Sequence, residues 1–501
     1  MAEEVELKLA LAEDHQARFL RHPLLKQAVE HHVQTLDNIY YDTADLTLRR
    51  RGIALRLRRQ GRDWLQTVKL AGTSTAGLSS RPEWETPYAG HFDFTAIDLA
   101  PVRDWLQRPR LLARIVPICE TRFRRITWRF TATPGSVLLT LDRGWIVANG
   151  RREAISELEL ELDGAPVQAI FGIARELAQR TSLTPLVLSK AERGYRLHLG
   201  TAPAPGKAAR LSLDAAMGPF EAFRRIALSC LEHLQKNHHG ALHSDDPEYI
   251  HQMRVATRRL RAALRLFAPA LPDGFTEPLR QPLAELMMHL GRARDLDVLL
   301  TEIASPVLRT LPDEPRLPAL ASDITNRRYA ARAQALALLA APDYGRLLLA
   351  ALESLHPVAE SNEVAIPLQG FARERLRRLR KKLRGLATAA RLDDPQSLHA
   401  LRIAVKRLRY ALEFFAPLAR KDALSAVLRR LASVQDTLGQ LNDLTNAGAL
   451  LMECAGEDAR LREAVALIGG WHGPRYARLQ ADIARELGRL VRLRLPRLAT
   501  G

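Results

Sequence analysis

Residues 4–8 read EVELK, and the reading of this pentapeptide decides how the first part of the chain folds. In a β-strand successive side chains point to opposite faces. Glu4, Glu6 and Lys8 then share one face, and Val5, Leu7 and Leu9 the other. The same arrangement returns along the chain. Arg56 and Arg58 share a face in ALRLRR, Thr67 and Lys69 in QTVKL, Glu83 and Glu85 in PEWET, and Arg122 and Arg124 in TRFRR. In SELELEL, Glu157, Glu159 and Glu161 line one face with leucines opposite. Strand after strand has one apolar and one charged face.

Solvated antiparallel strands also put polar residues outward, but an ordinary solvent face mixes Thr, Ser, Gln and Lys. Here Glu or Arg repeats at i and i+2, where like charges repel unless something neutralises them. A divalent cation between the carboxylates and phosphates between the arginines would do so, and oxygen-only donors suit Mg²⁺ or Mn²⁺. A sheet closed with these faces inward is a barrel with a polar lumen. No GxSxG, P-loop or HExxH pattern supplies a protein nucleophile or a zinc site. A metal-activated water is therefore the expected attacker, with a carboxylate or a lysine of depressed pKa as its base.

The surrounding chain fits two domains. Its 501 residues exceed one ordinary core. Short alternating runs fill residues 1–200; TAPAPGK opens a linker over 201–209; beyond it the apolar period becomes 3.6, rich in Leu, Ala and Arg. The expectation is an α+β N-terminal domain over 1–200 and an all-α domain over 210–501. No run of about 18 apolar residues marks a membrane span, and the acidic, strand-like start is no signal peptide. Cys119, Cys230 and Cys454 lie far apart without a CxxC pair, as in a cytoplasmic protein with reduced thiols. The net charge is +18: 29 Lys and Arg against 24 Asp and Glu up to residue 200 leave +5 there and +13 beyond. Such an excess calls for a polyanion.

The ordered set of charged residues resembles the CYTH family, the triphosphate tunnel metalloenzymes. Glu4-Val5-Glu6-Leu7-Lys8 matches its ExExK signature, and Arg56/Arg58, Lys69, Arg122/Arg124, Asp142, Glu157/Glu159 and Lys190 (in LSKAERGY) follow in the family's order. The resemblance implies an eight-stranded antiparallel β tunnel acting on triphosphate compounds. It implies metal at Glu4, Glu6, Asp142, Glu157, Glu159 and Glu161, phosphate contacts from Lys8, Arg56, Arg58, Lys69, Arg122, Arg124 and Lys190, and catalytic roles for Lys8 and Lys69. Strand alternation turns Arg125 away from Arg122 and Arg124.

The helical part is duplicated. DDPEYIHQMRVATRRLRAALRLFAP (245–269) returns as DDPQSLHALRIAVKRLRYALEFFAP (393–417), an offset of 148 residues. The same offset aligns LGRARDLD (290–297) with LGQLNDLT (438–445), Phe223 with Phe371 and Arg225 with Arg373. Repeats of about 215–360 and 361–501 related by a pseudo-twofold follow. On a helical wheel His251, Arg254, Arg258, Arg261 and Arg265 share an arc of about 80°. His399, Arg402, Lys406 and Arg409 form the second stripe, and Arg377 and Lys381 belong to the basic run RERLRRLRKKLR. No aromatic platform or recognition motif accompanies them, which disfavours sequence-specific nucleic-acid binding and favours a polyanion without bases.

These helices resemble the CHAD domain, the conserved-histidine α-helical domain, which implies two pseudosymmetric four-helix bundles binding inorganic polyphosphate through those eleven residues. Arg292 and Arg294 have no cationic counterpart in LGQLNDLT. A CYTH–CHAD fusion implies a metal-dependent hydrolase cutting inorganic triphosphate to pyrophosphate and phosphate, docked on long-chain polyphosphate and gathered at polyphosphate granules. The competing readings are a nucleoside or thiamine triphosphatase, an adenylyl cyclase, or a non-catalytic binding protein.

Overall fold

The computed structural model describes residues 3–75, 77–201, 204–356 and 366–498. Among the described residues ten strands form one sheet: β1 (Glu3–Leu11), β2 (Glu30–Thr43), β3 (Ile53–Gln60), β4 (Asp63–Leu70), β5 (Thr73–Thr75), β6 (Leu78–Pro87), β7 (Ile115–Thr131), β8 (Ser136–Ala148), β9 (Arg151–Asp163) and β10 (Leu183–Pro185). Their order is β10-β1-β9-β8-β7-β2-β3-β4-β6-β5, and an added β1–β6 pairing closes the eight long strands into an antiparallel barrel.

The period-2 pattern sorts the two walls. Leu7, Leu9, Leu139, Leu141, Leu158 and Leu160 are all 0% exposed. They point outward, and the apolar face of α1 (Val167–Arg180), with Ile170, Phe171, Ala174 and Leu177 buried, packs over β9. The alternate residues face a charged lumen. This barrel thus keeps its hydrophobic core outside the wall, as EVELK requires.

The lumen is plugged at one end by α2 (Lys190–Leu199), capped by Ser189, whose Oγ accepts from the Glu192 N–H at 3.2 Å. Leu197 of α2 packs against Leu36, Phe123, Ile146 and Ile155, an apolar floor among charged neighbours.

The helical part comprises α3 (Pro219–His243), α4 (Pro247–Phe267), α5 (Glu277–Val298, continued through Leu299–Ala304 and Ser305–Thr310) and α6 (Arg316–Ala340) in the first repeat. The second holds α8 (Leu368–Thr388), α9 (Pro395–Phe414), α10 (Lys421–Ala455) and α11 (Ala459–Val491), two sets of four long helices. Asp246 and Asp394 cap α4 and α9 by accepting from the Glu248 and Gln396 N–H groups, with Pro at the first helical position in each. Phe267 stacks on Phe371 with ring centroids 5.2 Å apart and meets Phe415 at 5.6 Å, so equivalent aromatics join the repeats.

The spatial division departs from the linear one in one place. Helix α7 (Pro342–Ser354), between the repeats in sequence, groups with the barrel. It packs on α1 and β10, with Arg175 Nη1 2.8 Å from Glu353 Oε1. A Cβ on Gly345 would lie 1.7 Å from the Leu183 carbonyl oxygen, so only glycine permits this approach. No single helix among the described residues is long and apolar enough to cross a membrane.

Candidate active site and basic cluster

Register brings the acids together. Asp142 on β8 lies opposite Glu157 on β9, and Thr140 opposite Glu159. One oxygen from each of Asp142, Glu157 and Glu159 lies within 4.8 Å of the others. Lys190 Nζ reaches all three: 2.7 Å to Asp142, 3.1 Å to Glu159, and a contact to Glu157 Oε1. Arg125 forks onto Asp142 at 2.7 and 2.6 Å, and its Nη2 lies 2.6 Å from Glu159. Arg193 Nη1 donates to Glu157 at 2.9 Å. Three cations thus face three carboxylates, which is what burial of so much charge demands.

Burial alone would raise the Glu159 pKa, but Lys190, Lys8 and Arg125 hold it well below the ordinary glutamate value. Burial pulls Lys8 and Lys190 down; Glu6 and Glu159 outweigh it for the first, Asp142, Glu157 and Glu159 for the second, and both end raised. Lys8 thus lies between two carboxylates that raise its pKa, the opposite of the depressed amine expected of a lysine base. Lys190, placed among phosphate-binding cations by resemblance, is bound to carboxylates.

Across the lumen lies the cation row. Arg56 Nη2 is 3.7 Å from both Glu83 and Glu85, and Lys69 Nζ is 2.9 Å from Glu83. Arg58 Nε donates to Asn38 Oδ1 at 3.1 Å, and Asn38 in turn to Thr121 at 3.0 Å. The Arg58 guanidinium is pulled down to about 10, by burial first and then by Arg56 and Arg125. Arg58, within electrostatic reach of both Arg56 and Arg125, marks a place where an anion would be welcome. Glu6 lies opposite Glu161 on the lumen face, 2.9 Å from Lys8, and also pairs with Arg81. The Glu4 side chain lies outside the described residues. A cleft of about 200 Å³ lined by Lys8, Ser79 and Arg81 adjoins this part of the lumen.

Two expected ligands are misplaced. Arg122 and Arg124 sit on the outer wall: the Arg122 side chain is 80% exposed, 3.4 Å from Asp37, and Arg124 faces Arg143 across the strands. Register explains the reversal. Arg125 pairs with Asp142, so Thr121, Phe123 and Arg125 face inward and their neighbours must face out. Arg124→Ala should therefore change stability and turnover little, within about 0.5 kcal/mol. Arg125→Ala removes the forked cation from two buried carboxylates and leaves them to Lys190, and should destabilise the barrel by about 3 kcal/mol; urea unfolding of both variants checks the contrast. Arg81 and Arg193 were also missed. Arg81 shares parity with Glu83 and Glu85, a usable signal, whereas Arg193 acts from a helix.

The carboxylate set suits a hard divalent cation: all donors are oxygens, converge, and are buried or half-buried. Asp142, Glu157 and Glu159 are the described residues able to hold one.

In the helical unit the stripes of α4 and α9 converge. Arg258 depresses Arg254, Arg258 and Arg254 depress Arg402, and all three arginines depress Lys406, with Asp295 and Asp443 beside them. Arg402 and Lys406 are the offset-148 counterparts of Arg254 and Arg258, as Asp443 is of Asp295. Arg254 reaches Asp295 at 3.3 Å, yet the Nε atoms of Arg254, Arg258 and Arg402 are buried without a hydrogen-bond partner. His251 and His399 lie one turn before the cluster. Arg261 and Arg265 lie further along α4, near Arg407. Arg409 is tied to Glu413 at 2.9 Å, and Arg377 and Lys381 are exposed on α8.

Comparison with known proteins covers both parts. Residues 2–195 match the CYTH domain and residues 225–452 the CHAD domain. An inorganic triphosphatase of Haemophilus influenzae is 30% identical over 197 residues, 39% of this chain and 55% of that protein, so the match spans about half of the relative's length. An uncharacterized protein of Mycobacterium tuberculosis is 27% identical over 450 residues, covering 85% of this chain and 84% of its own. The crystal structure of the CHAD domain from the plant Ricinus communis is similar with a TM-score of 0.52 at 37% identity, covering 60% of this chain and all of that one.

Proposed function

The chain is a fusion of a CYTH domain and a CHAD domain, and from that premise we propose that its tunnel hydrolyses inorganic triphosphate to pyrophosphate and phosphate while its helical unit binds inorganic polyphosphate. The observation that carries the first half is one lumen holding Asp142, Glu157 and Glu159 on one wall and Arg56, Arg58 and Lys69 on another. The similarity to an inorganic triphosphatase supports it.

In this reading Arg56, Arg58 and Lys69 hold the terminal phosphate, with Asn38 fixing the Arg58 fork. Lys8, kept protonated by Glu6 and Glu159, neutralises charge on the leaving pyrophosphate. Asp142, Glu157 and Glu159 would hold Mg²⁺ or Mn²⁺, with Glu4, Glu6 and Glu161 as further carboxylates of the same wall. A bound divalent cation supplies charge neutralisation and an acidified water. Phosphoanhydride cleavage needs positioning and charge compensation more than covalent help, and the lumen offers both. Phosphate release from triphosphate, ATP and thiamine triphosphate, each with Mg²⁺, Mn²⁺ or chelator, tests the reading. Metal-dependent release greatest from inorganic triphosphate is expected; equal or greater release from ATP would replace the substrate assignment.

For the helical unit the support is the four-cation cluster and its unpartnered Nε atoms. Lys406 carries a pH signature. Burial first, then Arg402, Arg258 and Arg254, bring it down to about 7. A bound polyanion favours the charged form, so binding takes up a proton and polyphosphate affinity should fall as pH rises through about 7. Dissociation constants between about pH 6 and about pH 8 measure this slope, and Lys406→Arg should flatten it.

A further inference from the structure

The duplication provides an internal control, because equivalent positions of the two repeats differ beside the basic cluster. In the first repeat the positions around His251 that correspond to this part of the second carry charge. Arg328 Nε donates to Asp297 Oδ1 at 2.6 Å, Glu248 accepts from Gln252 at 2.6 Å, and Arg294 lies 3.8 Å from Glu302. At the offset of 148, Glu248 becomes Gln396, Arg294 becomes Asn442, Asp297 becomes Thr445 and Val298 becomes Asn446. The ion pair is gone, and a cleft of about 440 Å³ opens between α9, α10 and α11. That volume lies within the range of small-molecule sites.

The lining states the chemistry. Leu398, Leu438 and Leu441 give apolar walls, Tyr476 an aromatic face, and Gln396, Asn442 and Asn446 neutral amides. His399 Nδ1 lies 2.9 Å from Asn442 Oδ1, which leaves the Asn442 NH₂ to donate elsewhere. Amides and an aromatic ring on apolar walls suit a flat, uncharged heterocycle with donors and acceptors on its edge. They do not suit phosphate, for the cleft itself carries no formal charge beyond His399. Yet phosphate sites are adjacent. His399 is one turn before Arg402 on α9, and Asn442 immediately precedes Asp443, which flanks the cluster.

We propose that this cleft takes the base of a nucleotide whose phosphates lie on Arg254, Arg258, Arg402 and Lys406, so that the helical unit binds nucleoside polyphosphates as well as inorganic chains. The proposal rests on the reading of that cluster as a polyanion site. The first repeat carries charge at the equivalent positions, which suits the base poorly, and one nucleotide per chain is implied.

The test uses the full chain carrying Arg56→Ala and Lys69→Ala, so that the tunnel does not compete. Calorimetric titrations with ATP, GTP, CTP, UTP, inorganic triphosphate and long-chain polyphosphate are compared. At least one nucleotide should bind about tenfold tighter than inorganic triphosphate, with one nucleotide per chain. Adding Asn446→Val and Tyr476→Ala should erase that advantage while long-chain polyphosphate affinity, which also reports folding, stays within about twofold. No nucleotide exceeding inorganic triphosphate, or an advantage that survives the substitutions, overturns the proposal while the cluster reading stands. Loss of polyphosphate binding in the parent chain overturns both.

Discussion

Glu159→Gln should lower triphosphate turnover on the order of 10³-fold, the scale of removing one preorganised charge from a polar catalytic site. Glu159 meets Lys190 at 3.1 Å, Arg125 at 2.6 Å and Lys8 at 3.6 Å, besides belonging to the oxygen cluster. Its amide keeps the shape but removes a charge that three cations and a bound divalent ion would share. Turnover measured against Mg²⁺ or Mn²⁺ concentration distinguishes the roles. A metal-site role raises the metal concentration needed for half-maximal rate as well as lowering kcat, whereas a purely structural role lowers the amount of folded protein and leaves that concentration alone. Near-normal turnover would show that the carboxylate cluster is part of the wall and nothing more.

Replacing Arg254, Arg258, Arg402 and Lys406 together with Ala should weaken long-chain polyphosphate binding on the order of 10³-fold, from about 1 kcal/mol for each of four contacts. Triphosphate hydrolysis should survive, because no tunnel residue is altered. The parent's affinity should also fall steeply with salt, and the variant's less so. Ala is tolerable here because these cations carry little internal pairing: Arg254–Asp295 is the single ion pair among the four in the described residues. Equal loss of hydrolysis would contradict the division into two working parts.

How much of this was legible beforehand differs from strand to strand. EVELK, ALRLRR, QTVKL and SELELEL announced a charged face backed by leucine, and the barrel turns those faces inward. The rule failed at TRFRR, because two arginines at i and i+2 look the same on an inner or an uncovered outer wall. What decides is register with a partner strand, here Arg125 against Asp142, and a single strand's sequence does not contain it. Neutralisation was equally invisible. Lys190 and Arg193 arrive from a helix that plugs the barrel, at a distance in sequence no alternation rule covers. The duplication, by contrast, is readable, since a constant offset of 148 places Arg254 and Arg402 in equivalent positions. Helix α7 was assigned with the repeats because its periodicity is helical; its burial against α1 and β10 depends on Gly345, one residue among many glycines.

The most direct test is a diffraction experiment on crystals soaked with Mn²⁺ and inorganic triphosphate, with data collected at the manganese edge. The account predicts anomalous density inside the barrel at the Asp142, Glu157 and Glu159 carboxylates, with phosphates reaching Arg56, Arg58 and Lys69. Manganese and triphosphate bound only on the outer wall, near Arg122 and Arg124, would contradict it.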